Sequence, residues 1–259
     1  MPANSDHAAS ADPGPLDAAA RLPDPLSLAE IEGSALMNRV DVKHLVSESQ
    51  AAGLIRQLAD EYRVLEIDGL RAFEYSTLYF DTPRLDCYLD HHNRRPLRRK
   101  YRMREYVASG ARFLEIKTRD RRGRTDKRRE PIAEFELSMS ADSRQFVHRV
   151  TGAEPELAPQ LWVRYRRLTL AHRQRAERVT LDWDLAFEQE GAVRRVPRVV
   201  IVEIKQDAND RSSPARAELR RLGLRPLRVS KYCLGTALLK PHLKQNRFKP
   251  KLRAIERIA

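Results

Sequence analysis

The stretch VVIVEIK (residues 199–205) ends in a charge pattern that occurs three times, as Asp41-Val42-Lys43, Glu115-Ile116-Lys117 and Glu203-Ile204-Lys205. In each copy an acid and a lysine flank one apolar residue. Because side chains alternate between the two faces of a β-strand, each copy places a carboxylate and an ammonium on one face and a hydrophobic side chain on the other. A sheet built in this way buries its apolar face under helices and lines a polar cavity with its charged face.

Period-two patterns around these copies predict further strands. The predicted strands cover residues 36–46, 73–80, 97–106, 112–118, 161–170, 178–184 and 199–205, and the predicted helices cover residues 49–62, 140–150, 214–222 and 231–239. Ala108-Ser109-Gly110 is typical of a hairpin loop between two of the strands. Seven strands, mostly in meander order with few helices, predict an α+β fold whose antiparallel sheet is closed on itself as a barrel.

The charged faces of these strands are expected to point into the barrel rather than into solvent. They carry Arg, Lys, Glu and Asp at alternate positions, with few of the Ser, Thr, Asn or Gln residues that often fill solvated strands. Four cations share one face of a single strand, namely Arg98, Lys100, Arg102 and Arg104. Alternate positions on a strand are about 7 Å apart, which approximates the reach of successive phosphates in an extended chain. The pattern therefore favours phosphate binding in a charged lumen.

The lumenal carboxylates have two possible roles. They could hold Mg²⁺ or Mn²⁺, which prefer oxygen ligands and bridge to phosphates. Alternatively, they could only orient the cations through ion pairs. The residue pattern alone leaves both roles open.

The overall charge balance supports a polyanionic partner. The 259 residues carry a formal net charge of +13 at pH 7, with a pI of about 10.1. Such an excess fits nucleic acid, a membrane surface, a nucleotide or polyphosphate, and also a merely solvated basic surface. Charge does not choose among these, so the choice rests on the motifs.

Cysteine content and hydropathy indicate a reducing compartment. The two cysteines, Cys87 and Cys233, form no CxxC unit and suggest no disulfide framework. No stretch is as long and apolar as a membrane span, and the N-terminus lacks the basic and apolar regions of a secretory signal. A cytoplasmic location is therefore expected. Residues 1–33 are predicted to be a disordered leader, residues 34–239 one domain, and residues 240–259 a basic tail that is either a short helix or flexible.

The ordered motifs of the domain resemble the VTC domain, the polyphosphate polymerase domain of the triphosphate tunnel fold, which is related to the CYTH domains. The resemblance spans about residues 36–239. The motifs that carry it are Arg39-x-Asp41-x-Lys43, Tyr79-Phe80-Asp81-Thr82, Arg102-x-Arg104-x-Tyr106, Leu114-Glu115-Ile116-Lys117, Lys127-Arg128-Arg129, Tyr165-x-Arg167, Arg178-Val179-Thr180-Leu181-Asp182, Val202-Glu203-Ile204-Lys205 and Ser230-Lys231-Tyr232-Cys233. Each motif alone is weak, whereas nine in the right order are specific.

The resemblance implies a tunnel barrel of about eight antiparallel strands with helices packed outside. It also implies transfer of the γ-phosphate of ATP to a growing polyphosphate chain, with release of ADP and with Mn²⁺ or Mg²⁺ as cofactor. The implied partners are ATP and inorganic polyphosphate, with no specific nucleic acid and no membrane span.

Residue roles follow from the same resemblance. The expected catalytic residues are Arg102, Arg104, Lys117 and Lys231, and the expected substrate-binding residues are Arg39, Lys43, Lys100, Arg167, Arg178 and Lys205. Glu203 is the first candidate for a metal ligand, and Glu115 and Asp182 follow, with ion pairing as their alternative role. The chain departs from the family pattern at Asp41 and His44, where many members have Glu and Tyr. Aspartate is shorter, which argues against a metal contact at Asp41.

Two other functions remain open on the sequence. A hydrolase of the same fold, acting on tripolyphosphate or nucleoside triphosphates, usually has more lumenal glutamates, and here Arg39 replaces the leading acid of an ExExK motif. A non-catalytic module could bind polyphosphate or nucleic acid through the basic tail and through residues 119–124, which are expected to form a solvated loop that steers anions. RNA-binding sheets present stacking aromatic residues, which the alternating charged faces offer only sparingly.

Overall fold

The computed structural model describes residues 14–33, 39–207 and 212–259, apart from the side chains of residues 32, 33 and 39. The described strands are β1 (Asp24–Leu26), β2 (Arg39–Ser47), β3 (Tyr62–Leu65), β4 (Ala72–Asp81), β5 (Arg98–Tyr106), β6 (Ala111–Arg119), β7 (Thr125–Pro131), β8 (Ala158–His172), β9 (Glu177–Gln189), β10 (Ala192–Val196) and β11 (Val199–Asp207). The described helices are α1 (Pro15–Ala19), α2 (Leu28–Gly33), α3 (Glu48–Leu58), α4 (Asp86–His92), α5 (Ala141–Thr151), α6 (Pro214–Arg221), α7 (Lys231–Leu239) and α8 (Lys249–Ile258).

The α+β class and the large antiparallel sheet are confirmed. The main path of the sheet runs β2-β11-β9-β8-β4-β5-β6-β7, while β1, β3 and β10 pair off this path. Neighbours along the path are antiparallel, and only β1 and β3 pair in parallel. The predicted strands and helices all appear, with shifted ends, although positions 36–38 of the first predicted strand lie outside the described residues.

The expected closure of the sheet into a barrel is wrong. Among the described residues no hydrogen-bonded ladder joins β7 to β2, so the two ends of the path do not pair with each other. Charged and mostly exposed residues fill β7, and such edge strands resist further pairing. The edge of β2 is partly covered by a loop, because the Leu227 N–H donates to the Lys43 carbonyl at 2.7 Å. The charges of β7 and the loop along β2 therefore protect the two edge strands from further pairing, although these strands do not pair with each other.

Alternation along the strands separates an apolar face from a charged face. On β11, Val200, Val202 and Ile204 are buried in a cluster with residues of α1, α3 and α6, which leaves Glu203 and Lys205 on the opposite face. On β6, Leu114 and Ile116 pack in a second cluster that includes residues of α5. The charge pattern of the sequence therefore predicted correctly which side chains share the polar face.

The expectation of a disordered leader is wrong for residues 14–33. Leu16 and Ala19 of α1 are buried against residues of α3, and the carboxylate of Asp17 accepts two hydrogen bonds from Arg166, at 2.6 and 3.0 Å. Two apolar side chains one turn apart, followed later by Leu26 and Ile31, give this polar segment enough apolar surface to dock. Residues 1–13 lie outside the described part of the chain.

The basic tail contains a helix, which resolves the alternative left open by its sequence. Phe248 at the start of α8 packs edge-on against Tyr88 and His92, and Ile255 is buried. None of the helices that the structure describes is long and apolar enough to cross a bilayer.

The helix α7 packs on the same face of the sheet as the charged residues, at one end of that face. Ser230 caps its first turn by accepting a hydrogen bond from the Cys233 N–H. The buried carboxylate of Asp81 accepts hydrogen bonds from the Tyr232 hydroxyl at 2.6 Å and from the Cys87 N–H at 2.8 Å, which ties α7 to α4. This anchoring sets the position of Lys231, the first residue of α7.

We expect Gly235→Ala to destabilise the fold because α7 approaches the sheet closely there. A Cβ at position 235 would lie 2.8 Å from Cδ2 of Leu161 and nearer still to the ring of Phe187. Overpacking of this kind costs about 1–3 kcal/mol of unfolding free energy, measurable by urea denaturation. Gly53→Ala in α3 is the matched control, since a Cβ there meets nothing within 4 Å. Equal stability of the two variants would contradict the close packing of α7.

Candidate active site

The charged face of β5 and β6 carries a row of cations with one buried acid. In the register of the two strands, Lys100 lies opposite Lys117, and Arg102 lies opposite Glu115. Glu115 is 1% exposed and accepts hydrogen bonds from Arg102 Nε at 2.7 Å and from Lys127 Nζ at 2.9 Å. Burial acts to raise the pKa of Glu115, but Arg102, Arg104 and Lys127 outweigh it and hold that pKa well below its usual range. Glu115 is therefore a fully paired carboxylate.

A second buried acid, Asp182, joins three elements of the fold. Arg167 of β8 binds it in a bidentate manner, with Nε to Oδ1 at 2.5 Å and Nη2 to Oδ2 at 2.8 Å. Lys231 of α7 also donates to Oδ2. Burial opposes ionisation, yet Arg167 and Lys231 keep the pKa of Asp182 below its usual range. Both oxygens of this carboxylate are thus held by cations.

The third acid, Glu203, pairs across strands rather than along its own. Its Oε1 forms a salt bridge with Lys43, which lies directly opposite in the register of β2 and β11. Burial acts to raise the pKa of Glu203, but Lys205 and Lys43 lower it well below the usual value. The carboxylate is therefore ionised and engaged by one salt bridge.

Three lysines of the charged face, Lys100, Lys117 and Lys205, form no salt bridge with any carboxylate that the structure describes. Burial and the charge of Lys100 lower the pKa of Lys117 to about 8. Burial lowers the pKa of Lys205 to about 8, and the positive charge of Arg167 contributes to the decrease. The carboxylates of Glu203 and Asp41 act in the opposite direction but do not offset burial. These ammonium groups lack a direct salt bridge among the described residues, although the charges of Glu203 and Asp41 act on Lys117 and Lys205.

The two halves of the charged face lie close enough to interact. Lys117 on β6 experiences the charges of Glu203, Asp41 and Lys43 on β11 and β2, which are far from β6 along the path of the sheet. The open sheet is therefore curled, so that its charged face is concave. We refer to this space between β6 and β11 as the lumen.

Aromatic residues in the lumen were missed by the sequence reasoning. Tyr75 and Tyr165 stack with their ring centroids 5.2 Å apart, and the Arg104 and Arg167 guanidinium groups lie over these rings. Lys231 Nζ lies 4.2 Å from the ring centroid of Tyr165. The alternation of Tyr75, Thr77 and Tyr79 on β4 was the available signal. The rings add cation–π contacts to Arg167 and Lys231, which Asp182 also holds, and to Arg104, which forms no salt bridge with a described carboxylate.

Tyr79 is a further titratable group of the lumen. Its hydroxyl accepts a hydrogen bond from Arg102 Nη1 at 3.2 Å. Burial acts to raise the pKa of Tyr79, but the charges of Arg102, Arg104 and Lys100 outweigh it and lower that pKa to about 8. The shift shows how strongly positive this part of the lumen is.

The remaining sequence candidates are placed as follows. Arg104 is 6% exposed and donates to Thr77 Oγ1 at 3.2 Å, with no described carboxylate in salt-bridge contact. Arg178 donates from Nη2 to the Ile31 carbonyl at 2.6 Å, so it binds the N-terminal segment. The side chain of Arg39 lies outside the described residues, although its backbone pairs with Asp207. Lys127, which sequence reasoning placed only in a motif, contacts Glu115.

The donor set fits a divalent metal at one acid only. In the part of the chain that the structure describes, no three His, Cys, Asp or Glu side chains cluster to form a protein-only site. Mg²⁺ and similar ions often bind through one or two carboxylates plus substrate phosphates, so such a cluster is not required. Glu115 and Asp182 have both oxygens engaged by cations, whereas Glu203 has one salt bridge. Glu203 is therefore the residue whose environment fits a metal ligand.

We expect Asp182→Ala to cost about 3 kcal/mol of unfolding free energy, because it leaves Arg167 and Lys231 buried without their shared anion. Chemical denaturation without added metal measures this loss. Glu203→Ala, which frees only Lys43, is expected to cost less. The reverse order would contradict the assignment of Asp182 as the structural carboxylate.

The affinity for tripolyphosphate should fall as the pH rises from about 7 to about 9.5, because Lys117 and Lys205 lose their protons above a pKa of about 8. Isothermal titration calorimetry over this range measures the effect. The variant K117R/K205R keeps both charges, and comparison with it removes the titration of the ligand itself. Parallel pH profiles for the two proteins would exclude the lysines as the titrating groups.

Comparison with solved structures finds similar folds at low sequence identity. A proposed adenylyl cyclase from Hippeastrum, described as having a dominant triphosphatase activity, is 18% identical over 77% of this chain and 95% of that chain, with a TM-score of 0.48. Proteins described as adenylate cyclase candidates come from Bacillus halodurans (16% identity, 74% of this chain, 94% of that chain, TM-score 0.48) and Vibrio parahaemolyticus (14%, 76%, 97%, 0.44).

Comparison with known sequences identifies the family. No curated protein matches this chain. The family model described as the VTC domain matches residues 38–240, which include the whole lumen from β2 to α7. The chain belongs to the VTC domain family.

Proposed function

We propose that this protein transfers the γ-phosphate of ATP to the end of an inorganic polyphosphate chain and releases ADP. The observation that carries the proposal is the set of three half-buried lysines that form no salt bridge with a described carboxylate, Lys100, Lys117 and Lys205, in the lumen of a VTC domain. Clustered ammonium groups repel one another in the free protein, and a chain of phosphates would neutralise them. A polyanionic substrate is therefore the ligand that this lumen suits.

The transfer itself needs little covalent participation by the protein. A terminal oxygen of the polyphosphate chain forms a bond to the γ-phosphorus, and the bond from that phosphorus to the β,γ-bridging oxygen breaks. The electron pair of the broken bond leaves with ADP, so the chain gains one phosphate. Catalysis of this step depends on positioning and on stabilisation of charge on the phosphate oxygens.

The cations named from the sequence divide into two groups in this proposal. Arg102, Arg104, Lys117 and Lys231 surround the reacting phosphates, and the others, Arg39, Lys43, Lys100, Arg167, Arg178 and Lys205, hold the remaining phosphates. Glu115 orients Arg102, and Asp182 orients Arg167 and Lys231, so each buried acid fixes the direction of guanidinium or ammonium donors. Because Arg178 donates a hydrogen bond to the Ile31 carbonyl, the proposed phosphate-binding role of Arg178 depends on the N-terminal segment.

A divalent cation, Mn²⁺ or Mg²⁺, completes the proposed substrate complex. When bound with ATP, such an ion withdraws charge from the phosphate oxygens. Glu203 is the proposed protein ligand, in keeping with its single salt bridge to Lys43. Glu115 and Asp182 are assigned to cation pairing instead.

We expect incubation with ATP and Mn²⁺ to yield polyphosphate and ADP, detected by gel electrophoresis and ³¹P NMR. Lys117→Gln should lower the rate about 100-fold, because one positive donor to the developing charge is lost. Val193→Ala, at an exposed position of β10 that has no role in the proposed mechanism, is the control and should leave the rate unchanged.

Each alternative product pattern would contradict the polymerase. Release of phosphate from ATP or tripolyphosphate without chain growth would identify a triphosphatase instead. Polyphosphate binding without any turnover would identify a non-catalytic binding module.

A further inference from the structure

An open cavity of about 170 Å³ lies at one end of the lumenal cation row. Arg98 and Arg119 lie opposite each other in the register of β5 and β6, one alternation beyond the pair Lys100 and Lys117. The cavity therefore lies next to the last pair of lumenal lysines along the two strands. Six arginines line it, namely Arg94, Arg95, Arg98, Arg119, Arg121 and Arg228.

The positive charge of this cavity is poorly compensated within the described residues. Asp120 is the one carboxylate of the lining, and it already accepts hydrogen bonds from the backbone N–H of Arg124 at 2.8 Å and from its Nε at 3.2 Å. Nε of Arg98 is buried and has no described hydrogen-bond partner. Burial, together with Arg119 and Arg228, lowers the pKa of Arg98. An anion with several oxygens would relieve both the repulsion and the unmade hydrogen bond.

The opposite end of the lumen is occupied by the N-terminal segment. Ile31 of α2 is 4% exposed and packs in a cluster with Phe73 and Ala171. Tyr75 packs against the same cluster, and its ring centroid lies 5.1 Å from that of Tyr106. Tyr106 is the last residue of β5, whereas Arg98 of the cavity is the first. A phosphate chain too long for the lumen would therefore extend towards the arginine-lined cavity, because the N-terminal segment occupies the opposite end.

We propose that the arginine-lined cavity binds the tail of an inorganic polyphosphate chain whose terminal phosphate lies among Arg102, Arg104, Lys117 and Lys231. This inference rests on the proposed function for the choice of ligand. The Cα positions of Lys100 and Arg98 are about 7 Å apart along the strand, so one extended chain can contact both levels. Arginine forks bind phosphate oxygens in a bidentate manner, so several arginines around one opening suit a chain of phosphates.

The test compares ligand lengths in a binding measurement. The cavity variant R119Q/R121Q/R228Q removes three exposed arginines of the lining and leaves the lumenal lysines intact. The control variant R194Q/R195Q/R220Q removes three exposed arginines elsewhere, so the two proteins have equal net charge. Fluorescence anisotropy at one salt concentration gives the Kd for long-chain polyphosphate, tripolyphosphate and single-stranded RNA, and circular dichroism verifies that both variants are folded.

We expect the cavity variant to bind long-chain polyphosphate at least about tenfold more weakly, with tripolyphosphate affinity unchanged and the control variant like the unmodified protein. If the two variants weakened polyphosphate binding equally, the effect would be one of net charge alone, and the proposal would be overturned. A parallel loss for tripolyphosphate, or an equally large loss for RNA, would also overturn it. Since binding requires no turnover, a failure to polymerise ATP would refute the proposed function without deciding this test.

Discussion

The candidate site depends on the buried carboxylate of Asp182 and the two cations that it holds. Asp182 belongs to β9, Arg167 to β8 and Lys231 to α7, so one anion joins two strands and the helix on the lumenal face. An ion taken out of water is tolerated only with close partners and additional hydrogen bonds. This requirement fixes the direction of the Arg167 fork and keeps Lys231 against the ring of Tyr165. The same contacts therefore set both the position of α7 and the position of Lys231.

Pairing between residues on neighbouring strands also determines which cations of the lumen remain available to bind a ligand. Glu115 pairs with Arg102 and Lys127, and Glu203 pairs with Lys43, so neither acid forms a salt bridge with the lysine two residues further along its own strand. Directly opposite side chains are about 5 Å apart at Cβ, whereas alternate positions on one strand are nearly 7 Å apart. Lys117 and Lys205 are therefore left without a direct salt bridge to a described carboxylate, and burial lowers their pKa values to about 8. The Glu115 and Glu203 copies of the acid-x-Lys unit each bind a cation from a neighbouring strand and leave their own lysine available, whereas Lys43 of the Asp41 copy is itself the partner of Glu203.

Much of the fold was predictable because its signals are local. Period-two alternation identified β2, β4, β5, β6, β8, β9 and β11. The Ser-Pro pair before α6 marked the N-terminus of that helix. The short strands β1, β3 and β10 carry too few residues to show a period, and β7 is so uniformly charged that it resembles a loop. The N-terminal segment resembled a disordered leader because its few apolar residues are widely spaced, and their burial depends on surfaces of α3 and β3 that only the folded chain provides.

The sequence by itself determined the α+β class, the face on which each charged strand residue lies, and family membership through its ordered motifs, because alternation and motif order are properties of the chain read along its length. Tertiary structure decided that the sheet curls without closing, that aromatic rings share the lumen with the cations, and that Glu115 and Asp182 are saturated while Glu203 has one partner. It also decided where Arg178 and the N-terminal segment meet. Those outcomes depend on distances between side chains that are far apart in sequence, which strand register and desolvation set only when the whole chain is folded.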